Sequence, residues 1–128
     1  MTHHLPIRVY YEDTDMAGIV YYANYLRYIE RARSDWVREM GIDQLAMKGE
    51  GVVFAVRRVE ADYMQPAVVD DMLDVETWAT SITPARMVMQ QEVKRGDPVL
   101  FRAVVTIVCI AASGKPCRLP AKLRSIPV

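Results

Sequence analysis

The chain has 128 residues, enough to bury a hydrophobic core in one domain without disulfides or metal ions. Sixteen Lys and Arg offset sixteen Asp and Glu, so the formal net charge is zero and the chain as a whole carries no electrostatic footprint for nucleic acid. The start, Met1 to Pro6, lacks the charged and apolar regions of a signal peptide, and the apolar runs are too interrupted to insert in a membrane; the expectation is a cytoplasmic protein.

Ile7 to Glu12, with Val9, Tyr10 and Tyr11, reads as a strand that ends in an acidic turn, Glu12-Asp13-Thr14-Asp15. His3 and His4 precede it in what reads as a frayed terminus. Beyond Gly18, apolar residues recur at helical spacing (Tyr22, Tyr25, Ile29, Ala32, Trp36, Met40) until Gly41 stops the pattern, which predicts one amphipathic helix of about five turns. Arg27, Glu30, Arg31, Ser34, Asp35 and Arg38 fall on its other face, read as solvated, with Glu30 and Arg33 spaced as an ion pair. The period then becomes two. Val52–Tyr63, Met72–Thr80, Met87–Lys94 and Val99–Ala112 read as antiparallel strands, the last being the most apolar and so interior to the sheet. "RGDP" at residues 95–98 and "SGKP" at 113–116 mark tight turns, and a basic tail follows with Arg118, Lys122 and Arg124. Cys109 and Cys117 form no ligand pattern and read as structural thiols of a reducing compartment. The whole of residues 1–128 is thus a single α+β domain, a long helix wrapped by a curved antiparallel sheet.

Familiar hydrolase chemistry has little to stand on. No G-x-S-x-G elbow occurs, the two histidines offer no base in the body of the domain, no cluster suits a metal, and the glycines are scattered rather than gathered in a phosphate loop. The acidic turn remains. Asp15 precedes the helix with Gly18 between them to let the loop fold back, so its carboxylate can lie near amides at the helix start that hold no partner. A carboxylate beside such amides offers a base or nucleophile next to an oxyanion site, which suits hydrolysis of an activated acyl group such as a thioester. Asp13 reads as a loop-orienting cap.

"YEDTDMAGIVYYANYLRYIERAR" at residues 11–33, "YMQPA" at 63–67 and "KPCRLP" at 115–120 closely resemble the hotdog-fold acyl-CoA thioesterases. Within them the chain is most similar to the 4-hydroxybenzoyl-CoA thioesterase and YbgC-like branch, the latter associated with the Tol-Pal envelope system. The resemblance covers nearly the whole chain and rests on the ordered motif D-x-D-x-x-G-x-V-Y followed by Y-x-x-x-x-E. It implies an acyl-CoA substrate, no cofactor or metal, and a homodimer or homotetramer with the site at the subunit interface. The catalytic carboxylate falls on Asp15, as nucleophile or general base. Tyr22 falls where a backbone N–H binds the thioester carbonyl; many of the Tol-Pal type carry His there, so Tyr22 leans toward the hydroxybenzoyl branch. Gly18 shapes the loop, and Arg86, Arg118, Lys122 and Arg124 are the candidates to contact the phosphates of CoA. The implied reaction is hydrolysis of short-to-medium aliphatic or aromatic acyl-CoA to the free acid and CoA. The alternatives are a dedicated 4-hydroxybenzoyl-CoA thioesterase and a non-catalytic acyl-binding or envelope-complex partner. A hydratase of the same fold would need a histidine that the body of this chain lacks.

Overall fold

In a computed structural model that describes residues 1–128, the alternating segments pair into one six-stranded antiparallel sheet. Strands β1 (His3–Arg8), β3 (Met72–Ile82), β4 (Arg86–Lys94), β5 (Val99–Ala111) and β2 (Val52–Tyr63) lie side by side in that order, and a two-residue β6 (Pro116–Cys117) pairs with β5. Along β5 the alternation is complete: Phe101, Ala103, Val105, Ile107 and Cys109 are buried, while Arg102, Val104, Thr106, Val108 and Ile110 are half-buried on the other face. The strand expected to be interior is so, held between β4 and β2.

Helix α1 (Asn24–Glu39) lies on the buried face of that sheet. Tyr25, Tyr28, Ile29, Ala32, Trp36 and Val37 are buried along it, the three- and four-residue spacing that puts side chains on one side of a helix. Removing a side chain such as Trp36 from this contact costs about 3–5 kcal/mol. Gln91 fastens helix to sheet from within: its Nε2 donates to the Ile29 carbonyl and to Thr77 Oγ1, both at 2.9 Å, and its Oε1 accepts from Arg33 at 3.0 Å. This buried amide is satisfied at both ends, so its burial carries no desolvation penalty left unmet.

Several expectations are corrected. The terminus is not frayed: β1 begins at His3, which pairs in register with Thr77 and is buried, its Nε2 2.8 Å from Asp35 Oδ2. Glu30 and Arg33 form no ion pair, because Ser34 takes Glu30 at 2.7 Å and Gln91 takes Arg33. The outer face of α1 is therefore only partly solvated. The first strand ends at Arg8 rather than Glu12, since Tyr11–Asp13 curl into a single 3-10 turn. Two short helices, α2 (Gln44–Gly49) and α3 (Ala121–Arg124), add to the expected elements; Asp43 caps α2 by accepting from the amides of Leu45 and Ala46.

Candidate active site

The acidic turn is a small hairpin. The Tyr21 amide donates to the Asp13 carbonyl at 2.9 Å, Thr14 and Val20 form an antiparallel bridge, and the Asp15 amide donates to the Ile19 carbonyl at 2.9 Å. At its tip the Gly18 amide closes a turn onto the Asp15 carbonyl at 3.0 Å, with Gly18 at φ +82, a left-handed angle that a side chain resists. The Ala17 amide donates to Asp15 Oδ1 at 2.9 Å. That bond fixes the carboxylate and leaves Oδ2 without a partner in the chain. Asp15 itself is exposed in the single subunit.

The other arm of the hairpin leads to Tyr22, two residues before α1 rather than inside its first turn as expected. The Asn24 amide donates to the Tyr21 carbonyl at 2.8 Å, and this turn feeds the chain into the helix. The Tyr22 amide itself donates to no acceptor in the chain. Tyr63, the last residue of β2, donates from its hydroxyl to the Tyr22 carbonyl at 3.0 Å. An apolar cleft of about 270 Å³ opens here between Ile19, Tyr22, Tyr25, Tyr63, Met64 and Pro66; Asp15 does not line it. Of the tyrosines near the acidic turn, Tyr22 and Tyr25 face the cleft, whereas Tyr10 and Tyr11 are exposed elsewhere. The Tyr25 hydroxyl accepts from the Ala67 amide at 3.1 Å, and burial outweighs that bond to push its phenol above the ordinary value.

Asp13 has the orienting place expected of it. Its Oδ2 accepts the Tyr10 amide at 2.9 Å, closing the 3-10 turn from both ends. Tyr28 is buried behind it; burial, and after it the Asp13 carboxylate, push that phenol far above its ordinary value.

The basic candidates lie elsewhere. Arg8 at the end of β1 pairs with Met72 at the start of β3, and Asp74 pairs with Lys94, so the hairpin belongs to the Lys94 end of β4. Arg86 opens the other end of that nine-residue strand, about 26 Å away at 3.3 Å per residue. Arg118 sits at that same far end, in a groove with Pro84, Ala85 and Cys117. Lys122 Nζ donates to the Gly41 carbonyl at 3.1 Å, just past the last turn of α1, and Arg124 ends α3 in solvent. Within one subunit, none of the four meets Asp15.

Other reactive groups stand apart from the hairpin, and tertiary contact does gather two clusters with metal-ligand chemistry that the sequence did not suggest, His3 with Asp35 and Glu39 and His4 with Asp74 and Glu76. Cys109 is buried opposite Cys117, and burial, then the neighbouring thiol, push its thiol up to about 11, so it holds no thiolate at neutral pH. His3 is engaged by Asp35, and His4 by Asp74 at 2.8 Å. Two residues that matter for the site escaped the sequence reading: Tyr63, noted only as part of "YMQPA", and Asn24, a polar residue 7% exposed near the start of an otherwise apolar stripe.

A curved antiparallel sheet around one long helix, with a carboxylate hairpin leading into that helix, is the hotdog arrangement, and the thioesterase-like superfamily profile matches residues 9–126. The chain belongs to that superfamily and is a thioester hydrolase by class. It is 39% identical over 120 residues to the acyl-CoA thioester hydrolase YbgC of Escherichia coli O6:H1, covering 92% of this chain and 90% of that protein. Identity to the acyl-CoA thioesterase YbgC of Haemophilus influenzae is 34% over 122 residues, covering 94% and 90%. Among solved structures, a probable thioesterase from Bartonella henselae superimposes with a TM-score of 0.89 at 37% identity, covering 94% of this chain and all of that one. The 1,4-dihydroxy-2-naphthoyl-CoA thioesterase of Synechocystis gives 0.90 at 26% identity, covering 98% and 94%. No helix is long and apolar enough to cross a membrane.

Proposed function

We propose that this protein hydrolyses acyl-CoA thioesters in a site shared between two copies of the chain, with Asp15 as the reacting carboxylate. The observation that carries this reading is the hairpin itself, which holds an oriented carboxylate with one free oxygen on a rigid turn and leads directly to the unbonded Tyr22 amide. The thioester carbonyl oxygen accepts from the Tyr22 N–H, which stabilises the negative charge that grows there. Asp15 Oδ2 either attacks the carbonyl carbon, breaking the C–S bond and releasing CoA thiolate to take a proton from solvent, or draws a proton from a water that attacks instead. In the first route one water then opens the resulting anhydride. Label found in the Asp15 carboxyl after single turnover in ¹⁸O-water establishes the anhydride route, since label enters there only when an anhydride forms and water opens it at the Asp15 carbonyl.

The second copy follows from the edge strand. β2 is twelve residues long, its outer edge is unpaired, and Val53, Val56, Val59 and Tyr63 are exposed along it. An unpaired edge of this length, whose exposed valines alternate with Arg57, Arg58, Glu60 and Asp62, has room for a pairing strand, and a two-fold axis through β2 supplies one from a second chain. Antiparallel pairing sets the Val52 end of the partner beside the Tyr63 end of this subunit. It thereby brings the partner's Arg86 and the partner's Arg118 toward this hairpin, where they meet the CoA phosphates, and it covers the exposed Asp15.

The same operation turns a second apolar cleft, about 210 Å³ between α1 and the first half of β2, toward the partner's hairpin. Val37, Phe54, Met87, Met89 and Ile107 line it, so it favours a short-to-medium aliphatic or aromatic acyl group at about 0.8 kcal/mol per methylene, nearly fourfold in affinity. One observation favours the narrower reading of a 4-hydroxybenzoyl-CoA thioesterase: Glu30 and Ser34, bonded to each other at 2.7 Å, stand in the wall of this cleft and can meet an aromatic hydroxyl. A panel of aliphatic, benzoyl and 4-hydroxybenzoyl CoA thioesters, assayed by thiol release, tests both. A kcat/KM preference of about a thousandfold for the hydroxylated ring establishes the narrower reading. Asp15→Asn lowers kcat on the best substrate by about a hundredfold or more with the fold intact. Near wild-type turnover by that variant removes Asp15 from the chemistry.

A further inference from the structure

We infer that Asn24 is the positioning residue of this site: its side-chain amide sets the spacing between the Asp15 carboxylate and the Tyr22 amide. The inference rests on the assignment of Asp15 and Tyr22 made above.

Asn24 is the first residue of α1 and is buried, 7% exposed, where an apolar residue would serve packing better. Its Nδ2 donates to the Asp13 carbonyl at 2.8 Å, and its Oδ1 accepts from Arg27 at 3.0 Å. The Asp13 carbonyl also accepts the Tyr21 amide at 2.9 Å, so both of its lone pairs are engaged. This one oxygen is the base of the hairpin. Asp15 lies two residues beyond it on the outgoing arm, and Tyr22 lies one residue beyond Tyr21 on the return.

The backbone bond from Tyr21 closes the hairpin, and the Ile19–Val68 bridge with the Val20 amide's bond to the Ala67 carbonyl steadies its return arm, but no backbone bond ties the outgoing arm to α1, which leaves that arm free to shift against the helix start. The Asn24 bond removes that freedom, because Asn24 is fixed in the helix by its own amide bond to the Tyr21 carbonyl and by Arg27. The outgoing arm is thereby tied to the same helix start that carries the return arm. A displacement of about 1 Å at a reacting group costs on the order of a hundredfold in rate, so a lost clamp is read in turnover more than in binding. The hydrogen bonds of Asn24 go to Asp13, Tyr21 and Arg27, and the polar cleft it lines with Glu12, Tyr28 and Arg31 is separate from the two clefts assigned to substrate.

Three variants and one reference separate this role from simple packing. Asn24→Asp keeps the shape and the bond from Arg27 but loses the donor to Asp13. Asn24→Ala and Asn24→Ser are alike in size and differ in one hydroxyl that can donate. With hexanoyl-CoA and benzoyl-CoA as probes, the expected result is that the Asp and Ala variants lower kcat by about thirtyfold or more with KM within about threefold of wild type. The Ser variant recovers a substantial part of the loss, and far-ultraviolet circular dichroism is unchanged throughout. Asp15→Asn, run alongside, is nearly inactive. The inference is overturned if the Asp variant turns over within about twofold of wild type while Asp15→Asn is dead, or if the loss falls on KM alone, or if Ser and Ala are equal. If Asn24→Ala fails to fold, the isosteric Asp variant decides. An active Asp15→Asn instead brings down the underlying assignment.

Discussion

The Tyr63 hydroxyl donates to the Tyr22 carbonyl at 3.0 Å, joining the end of an edge strand to the residue that leads into the helix, 41 positions away in the chain. Tyr63 also packs edge-on against Phe101 with ring centroids 5.0 Å apart and against Tyr25 at 5.6 Å. Burial, then the neighbouring Tyr22 and Tyr25 phenols, push the Tyr63 phenol above its ordinary value, so it remains a neutral donor through the working pH range. The free edge strand and the residue proposed to meet the substrate are thus mechanically linked.

Tyr63→Phe keeps the aromatic packing and removes only that donor. The expected outcome is a loss of about 1 kcal/mol in stability or in transition-state binding, seen as a kcat about fivefold lower or a Tm a few degrees lower. Steady-state kinetics and a thermal melt check it. No change in either would show that the bond does not restrain Tyr22.

The loop that backs the hairpin is held by Asp71. Arg95 donates to its Oδ2 at 2.7 Å and the Val68 amide to the same oxygen at 2.9 Å, while Val68 bridges Ile19. Partial burial pushes the Asp71 carboxyl up, but the Val68 amide and the Arg95 guanidinium together hold it below its ordinary value of 3.8. A carboxyl whose folded value is depressed contributes stability that is fully present above its unfolded value and is lost as pH falls through the folded one. Asp71→Asn therefore lowers the Tm at pH 7, and the gap from wild type closes as pH drops below about 4. Melts of both proteins from pH 7 to pH 2.5 test this, and a gap that stays constant contradicts it.

Charge on the free edge tests the proposed pairing: across the proposed β2 two-fold axis, Val59→Glu sets like charges close together. The variant elutes as a folded monomer by light scattering and loses at least about a hundredfold in activity, as expected when the site loses half its groups. A fully active monomer contradicts the shared site.

Much of this architecture is legible in the sequence because periodicity is a local property. β2 occupies Val52–Tyr63 as read, and β3, β4 and β5 differ by two residues or fewer at either end. The helix is read correctly in its middle and too long at its start, since Tyr22 continues the apolar spacing although a turn at Tyr21–Asn24 still precedes the helix. What the sequence hides are partners made by tertiary contact. Glu30 and Arg33 are spaced for each other, yet a buried Gln91 offers Arg33 a better-placed oxygen from another element. His3 reads as terminal because nothing local announces the Asp35 that holds it. Asn24 is the instructive omission: a polar residue inside an apolar stripe must find a partner when buried, and its rule-breaking was itself the signal. The basic residues pose the reverse case: they lie at the far end of the sheet from Asp15, and the proposed second chain is what would bring them to it.

Subunit complementation tests that shared site most directly. One parent carries Asp15→Asn; the other carries Arg86→Glu with Arg118→Glu and keeps Asp15, and each alone releases little thiol at low acyl-CoA concentration. When the two are mixed, unfolded and refolded together, half the dimers are mixed, and each has one site with an intact Asp15 facing intact arginines. A shared site predicts recovery toward about a quarter of wild-type activity, one good site in every four. Activity that stays at the level of the parents would mean that Asp15 and the arginines act within one subunit or not together at all, and would contradict a shared site.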